Sequence, residues 1–159
     1  MKPLDRTDYQ IVRLLRNNAR LSNKELAAKV GLAPSTCLVR TRLLQQAGVI
    51  TGFRAEVDAA ALGVGLQAMI AVRLKRHYKP DVEAFRQHAL DLPEVVRLYH
   101  VAGPIDFLAH VWARDPEHLR DLAMTAFTAR EEVSHIETEL IFEHVASDAL
   151  PPFLGPAPE

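Results

Sequence analysis

Apolar residues in the first fifty positions recur every three or four residues, the spacing of helices that bury one face. Beyond position 65, short alternating runs take turns with helical ones. The first helical stretch carries Ile11, Val12, Leu14 and Leu15 as its stripe and runs to about Asn18; the second turns Leu26, Ala27 and Val30 inward and ends at Val30. Both begin in the same grammar. Asp5 is spaced to cap the amide of residue 8, with Leu4 placed to staple to Tyr9; Ser22 and Glu25 have capping-box spacing, with Leu21 placed to staple to Leu26. Gly31 supplies a left-handed stop, and only Gly31 and Leu32 precede the next start at Ala33-Pro34, where proline suits the first helical position. So short a glycine-containing turn makes the helices cross steeply, which is the geometry of a helix-turn-helix and leaves the third helix projecting.

That third helix, Pro34 to Ala47 with a stop at Gly48, has no single apolar stripe, so periodicity alone leaves two buried faces open. The preferred one packs Cys37, Thr41 and Leu44 inward. It leaves Ser35, Val39, Arg42 and Gln46 opposite, with Thr36 and Arg40 on the flanks. Hydroxyls, amides and arginines near a helix start suit a duplex: arginine pairs with guanine, serine and threonine reach phosphates or base edges, and Val39 can meet a thymine methyl. Ser35, Thr36, Val39, Arg40 and Arg42 are therefore the candidate DNA contacts, a solvated helix face being the alternative reading of the same residues.

After Gly48, residues 49–57 read as a linker strand followed by an alanine-rich turn to Gly63. Four strands and two helices follow. The first strand, about 66–76, sets Ala68, Ile70, Val72 and Leu74 on one face, and a helix from Pro80 to Leu90 turns Val82, Phe85 and Ala89 inward. Strands at about 94–102 and 105–113 are joined by a tight turn at Gly103-Pro104. A helix capped by Asp115 offers Leu119, Leu122, Ala123 and Phe127, and a last strand, 133–145, is expected to bury Ile136, Leu140 and Phe142. The order βαββαβ predicts a ferredoxin-like two-layer sandwich, making the chain α+β overall. Met69, Ala71, Val96, Leu98 and Trp112 are expected on the sheet face away from the helices, and burying such a face predicts an obligate homodimer.

Composition sharpens this picture where it is uneven. A hydrophobic share of 48% with 25% charged residues is that of a globular chain. The net charge of -1 conceals two opposite halves. Residues 1–55 hold ten Lys/Arg against three Asp/Glu, giving +7, and residues 56–159 hold nine against seventeen, giving -8. A basic module that meets phosphates joined to an acidic one that does not fits that asymmetry. No run approaches the roughly 18 apolar residues of a membrane span and the N-terminus has no apolar signal region, so a cytoplasmic protein with no membrane partner is expected. The single cysteine, Cys37, excludes an internal disulfide. All seven histidines follow residue 76, but not at ligand spacing, and no phosphate loop or nucleophile motif is present. Neither metal nor cofactor nor catalytic residue is predicted.

Several stretches together resemble the Lrp/AsnC, or feast/famine, family of transcriptional regulators. They are Leu4-Asp5-x-x-Asp8, Asn18-Ala19-Arg20-x-Ser22-Asn23-x-Glu25-Leu26-Ala27, Pro34-Ser35-Thr36-Cys37-Leu38, Gly48-Val49-Ile50, Leu62-Gly63 and Tyr99-His100-Val101-x-Gly103-x-x-Asp106-Phe107-Leu108. The resemblance spans residues 4 to about 145. It implies a helix-turn-helix DNA-binding domain (1–49), a linker strand and turn (50–64), a ligand-sensing and oligomerisation domain (65–146) and a loose Pro-rich tail (147–159). Ala33, Val39, Leu43, Gln45 and Gln46 depart from the residues usual in such proteins, which bears on the operator rather than on DNA binding as such. The Gly103-x-x-Asp106 turn reads locally as an ordinary hairpin. The resemblance implies instead that it borders a pocket for an amino-acid effector between subunits, with Asp106 on the α-ammonium and amides near Val101 and Gly103 on the α-carboxylate. The expected function is thus sequence-specific binding of double-stranded DNA under control of a small-molecule effector, by a homodimer or an assembly of dimers. A sirohaem-decarboxylase-like enzyme on the same architecture, and an assembly protein whose helix-turn-helix no longer binds DNA, are the alternatives.

Overall fold

The computed structural model describes residues 4–147, which form an α+β protein of two compact units, one reaching Glu56 and including 145–147, the other spanning Val57–His144. All but the first residue of the expected Pro-rich tail lies outside the described residues.

In the first unit, α1 (Arg6–Asn17), α2 (Asn23–Val30) and α3 (Pro34–Gln46) are each too short to be stable alone in water and depend on a shared core. Ile11, Leu15, Leu26, Ala27, Cys37 and Leu44 are buried together, with Val12, Leu14, Val30, Val49 and Ile50 packed around them. Ser22 and Glu25 close the capping box read from sequence, and Asp5, read as a cap of residue 8 alone, forms a second box because the Asp8 side chain accepts in return from the Asp5 backbone N–H. Gly31 takes the left-handed conformation that ends α2, with φ 68°. Ala33 gives α3 no side-chain cap. The Asn23 side-chain amide instead donates to the Pro34 carbonyl at 2.8 Å, fastening the start of α3 to the start of α2. The linker strand expected over 49–57 does not form: residues 51–57 pair with nothing in the single chain, and an isolated strand would leave its backbone donors and acceptors unpaired.

The second unit begins with a single 3-10 turn, Ala60–Leu62, and then runs β1 (Leu66–Leu74), α4 (Lys79–Asp91), β2 (Val95–His100), β3 (Phe107–Ala113), α5 (Pro116–Leu122) and β4 (Val133–Ile141). A π-helical stretch, Ala123–Thr128, continues α5. The sheet order is β2-β3-β1-β4 with every pair antiparallel, the ferredoxin-like topology. Ala68, Ile70, Val72 and Leu74 of β1 face Phe85 and Ala89 of α4 and Leu119, Leu122, Ala123 and Phe127 of the second helical layer. Phe85 lies 4.9 Å from Phe107 and 6.2 Å from Phe127, ring centre to ring centre, at tilted angles that aromatic pairs favour.

Two expectations about the sheet are corrected. Leu98 does not lie on the face away from the helices. A register shift between Val95 and Arg97 inserts an extra residue, and because strand side chains alternate with period two, Leu98 is turned onto Ala109 and the helix-side core while Arg97 and Tyr99 point outward. On β4, Ile136 is half-buried, but Leu140 is exposed and Phe142 is 98% exposed. Pairing stops at Ile141 and β4 is an edge strand, covered by a neighbour on one side only.

The entry to β1 is tied to the exit of β3 through the Gly65 amide, which donates to the Ala113 carbonyl at 3.0 Å. A Cβ at Gly65 would collide with the Arg114 carbonyl, a backbone atom that cannot swing aside. Gly65→Ala should therefore destabilise the second unit by about 1–3 kcal/mol in a denaturant titration. A midpoint equal to that of the unsubstituted protein would show that this approach relaxes without cost.

Candidate nucleic-acid interface and effector turn

The face of α3 that reaches solvent is set by what its other face buries. Cys37 and Leu44 sink into the three-helix core, and the half-buried Thr41 spends its hydroxyl on the Cys37 carbonyl at 3.0 Å. This is the preferred face of the two that periodicity left open. Ser35, Thr36, Val39 and Arg42 are consequently exposed, as are Leu43 and Gln46.

Arg40 behaves differently. Its Nη1 donates to Asp5 Oδ2 at 2.6 Å and to Asp8 Oδ1 at 2.7 Å, so one guanidinium of α3 bridges the cap residue and the third residue of α1. These bonds to Asp5 and then Asp8 hold Arg40 more firmly in its charged form. Asp5 is in turn held ionised below its ordinary range, first by the backbone N–H of Asp8 and second by Arg40. The local sequence shows Asp5 and Asp8 as capping residues only; their second partner lies more than thirty positions away, beyond the reach of spacing arguments.

The turn expected to border an effector pocket is built around Asp106. The Val101 amide donates to the Asp106 carbonyl at 2.9 Å, closing a loop of four residues rather than a two-residue turn at Gly103-Pro104. Gly103 is exposed with φ 134°, a conformation that glycine alone adopts cheaply. Asp106 is only 2% exposed. Its Oδ2 accepts from the Leu74 amide at 2.7 Å, its Oδ1 lies 2.8 Å from Nδ1 of His77, and its own amide donates to the Val72 carbonyl. The carboxylate thus fastens the end of β1 to the head of β3, and is roofed by an imidazole that is itself 78% exposed. His77 was not singled out by sequence, since nothing local to it signals a carboxylate some thirty residues on.

On the sheet face away from the helices, Met69, Ala71, Leu108 and Trp112 surround a small polar cluster. Trp112 Nε1, a donor only, gives to Gln67 Oε1 at 3.2 Å, and His110 Nε2 lies 2.9 Å from the same oxygen. With Oε1 accepting both bonds, His110 carries its proton on Nε2. Burial, then His144 and Arg97, push His110 below its ordinary 6.5, so the neutral ring is favoured. Among the described residues no group of three His, Cys, Asp or Glu side chains gathers as a metal set, and no helix is long and apolar enough to cross a membrane.

Comparison with known proteins bears on both units. Residues 4–51 match the winged helix-turn-helix DNA-binding family, and residues 67–151 match the Lrp/AsnC ligand binding domain. The transcriptional regulator AldR of Mycolicibacterium smegmatis is 44% identical over 144 residues, covering 91% of this chain and 84% of that one. The leucine-responsive regulatory protein of Rhizobium meliloti is 37% identical, covering 89% and 91%. Among solved structures, a transcriptional regulator from Neisseria meningitidis in complex with L-Met superposes with a TM-score of 0.85 at 28% identity, covering 94% of this chain and 97% of that one.

The Arg40 bridge makes a prediction with a definite pH sign. Its two pairs are partly exposed, so Arg40→Ala should cost about 1 kcal/mol of stability at neutral pH. Asp5 titrates below its ordinary 3.8 when folded, so its contribution is complete above 3.8 and is lost as the pH falls through the lower, folded value. Thermal melts of the two proteins should therefore converge in acid. Curves that stay equally far apart would mean that Arg40 acts through packing of its aliphatic stem.

Proposed function

The chain belongs to the Lrp/AsnC family of transcriptional regulators, and from that premise we propose that its first unit reads a specific site on double-stranded DNA while its second answers an amino acid or related metabolite. The observation that carries the first part is the exposed face of α3. Ser35, Thr36, Val39 and Arg42 stand together on a stretch of chain with a charge of +7, where phosphate attraction supplies affinity and the helix supplies readout. Arg40 joins them on DNA by exchanging Asp5 and Asp8 for a phosphate or a base; otherwise it orients the helix from behind.

For the second part, the loop from Val101 to Asp106 borders the effector pocket. The Val101 amide is already given to the Asp106 carbonyl, which leaves the backbone around the exposed Gly103 to meet a carboxylate. Oδ1 of Asp106, covered by the exposed His77, is the oxygen that an α-ammonium takes. A homodimer follows from the outward sheet face, whose Met69, Ala71, Leu108 and Trp112 are best covered by their own copies, with higher assemblies built from such dimers. The proposed division is a DNA-binding domain to residue 49, a linker over 50–64 and the sensing domain over 65–146. The protein would work in the cytoplasm, beside its DNA. The relatives found are regulators by name, which favours this reading over a sirohaem-decarboxylase-like enzyme.

Arg42→Ala should weaken operator binding by about 1–3 kcal/mol if it meets a base, or weaken all sequences alike if it meets phosphate. Titration of labelled duplexes at matched salt reads the difference, and unchanged binding to every duplex removes Arg42 from the interface. For the second unit, a thermal-shift screen over the amino acids should find at least one that raises the melting temperature, because a ligand of the folded state stabilises it. Asp106→Asn keeps an acceptor for the Leu74 amide and should fold, remain dimeric in light scattering and lose that shift. Full retention of the shift would restrict Asp106 to fastening β1 to β3.

A further inference from the structure

Two of the side chains that α3 shows to solvent are aliphatic and adjacent. Val39 and Leu43, at i and i+4, are 55% and 56% exposed, and neither joins the buried core of the three-helix unit. Isolated surface leucines need no explanation. This pair stands beside Ser35, Arg42 and Gln46 on the face opposite Cys37 and Leu44, where a readout helix needs its most discriminating groups. The neighbouring arginine, Arg40, is held by Asp5 and Asp8 in the protein alone, so it adds a donor fork to this ridge only by giving up both carboxylates.

Resting on the DNA-binding reading above, we propose that Val39 and Leu43 are specificity-determining residues that recognise the C5 methyl groups of two thymines in each half-site. In the major groove the thymine methyl is the apolar mark that distinguishes its pair, and aliphatic side chains meet it. An aliphatic side chain pressed on a G·C pair would instead strip water from the N4 amino group, O6 and N7 without replacing their hydrogen bonds, so the same pair selects against G·C. Residues four apart on a helix are separated by about 6 Å along its axis, against a rise of about 3.4 Å per base along one strand, so the two methyls belong to base pairs one or two steps apart. Charge complementarity names duplex DNA as the occupant of this patch: the patch lies on the +7 stretch of chain, beside Arg42.

The test selects bound duplexes from random DNA at fixed salt and then replaces each selected thymine by deoxyuridine, which removes the methyl and nothing else. Wild-type protein should select two T·A pairs one or two steps apart in each half-site and lose about three- to fivefold in affinity for each methyl removed, the loss expected for withdrawing one buried methyl contact. Val39→Ala and Leu43→Ala, both at exposed positions and expected to fold, should each become indifferent to one of the two replacements. Full wild-type affinity for the uracil duplexes overturns the proposal, as do alanine variants that lose as much on uracil as the wild type. A protein that binds specific duplexes regardless of these methyls keeps the regulator reading and loses this one, whereas a protein that selects no duplex loses both. If either alanine variant abolishes self-association in light scattering while leaving DNA binding intact, the patch belongs to a second copy and the assignment fails.

Discussion

What α3 can present depends on how it is held, because nothing in its own sequence fixes its rotation. It starts without a side-chain cap and has no continuous apolar stripe, yet its orientation decides whether arginines, hydroxyls or aliphatic groups face outward. Two contacts settle the matter. Cys37 and Leu44 insert into the core made with Ile11, Leu15, Leu26 and Ala27, and Arg40 is drawn to the start of α1 by a pair of carboxylates. The second contact also explains why Asp5 and Asp8 occur together. Each caps the other's backbone at one end of α1, and the remaining charge of both is met by a cation from another helix, so the cap and the angle of α3 become one feature.

The sheet shows the same dependence on a small irregularity. With regular alternation from Val95, Leu98 would face away from the helices and leave the core beside Ala109 underfilled. The shift before Arg97 turns Leu98 inward and sets Tyr99 and Arg97 on the outer face beside Leu108 and His110. That outer face is therefore less uniformly apolar than the alternation suggests, with His110, Gln67 and Trp112 forming a hydrogen-bonded cluster in its middle. A surface of this kind favours one docking geometry over many, since any partner that covers it must leave those bonds satisfied.

The sequence therefore speaks plainly where structure is local and falls silent where it is not. The Ser22–Glu25 capping box, the Asp5 cap, the left-handed Gly31, the inward face of β1 and the αβ order could all be read from residues within a few positions of one another. Leu98 could not, because a bulge is a property of the pairing and one residue of slip reverses every later side chain. Phe142 and Leu140 kept the alternation of a strand, but Phe142 lies past the last paired residue, Ile141, and Leu140 sits at the far end of an edge strand whose other end, at Val133, is the buried one. In the candidate sites, exposure of Ser35, Thr36, Val39 and Arg42 followed from helical geometry. The partners of Arg40 and Asp106 did not, because both are contacts made between elements far apart in sequence.

On the proposed effector reading, the Asp106 carboxylate would carry a structural role and a binding role at once. Oδ2 is committed to the Leu74 amide, and withdrawing it would leave a buried backbone donor unpaired at a cost of about 1–3 kcal/mol. Only Oδ1 can be exchanged, and its present partner is an exposed imidazole. An α-ammonium that takes this place gains a charge-assisted bond and gives up the one to His77, so the net gain at Asp106 is a difference between two similar interactions. That difference rests on the charge of the carboxylate, which is why a neutral side chain at the same place is expected to lose the ligand. In the proposed function Asp106 would therefore accept amino acids as a class, and discrimination among them would rest with the groups that meet the rest of the molecule.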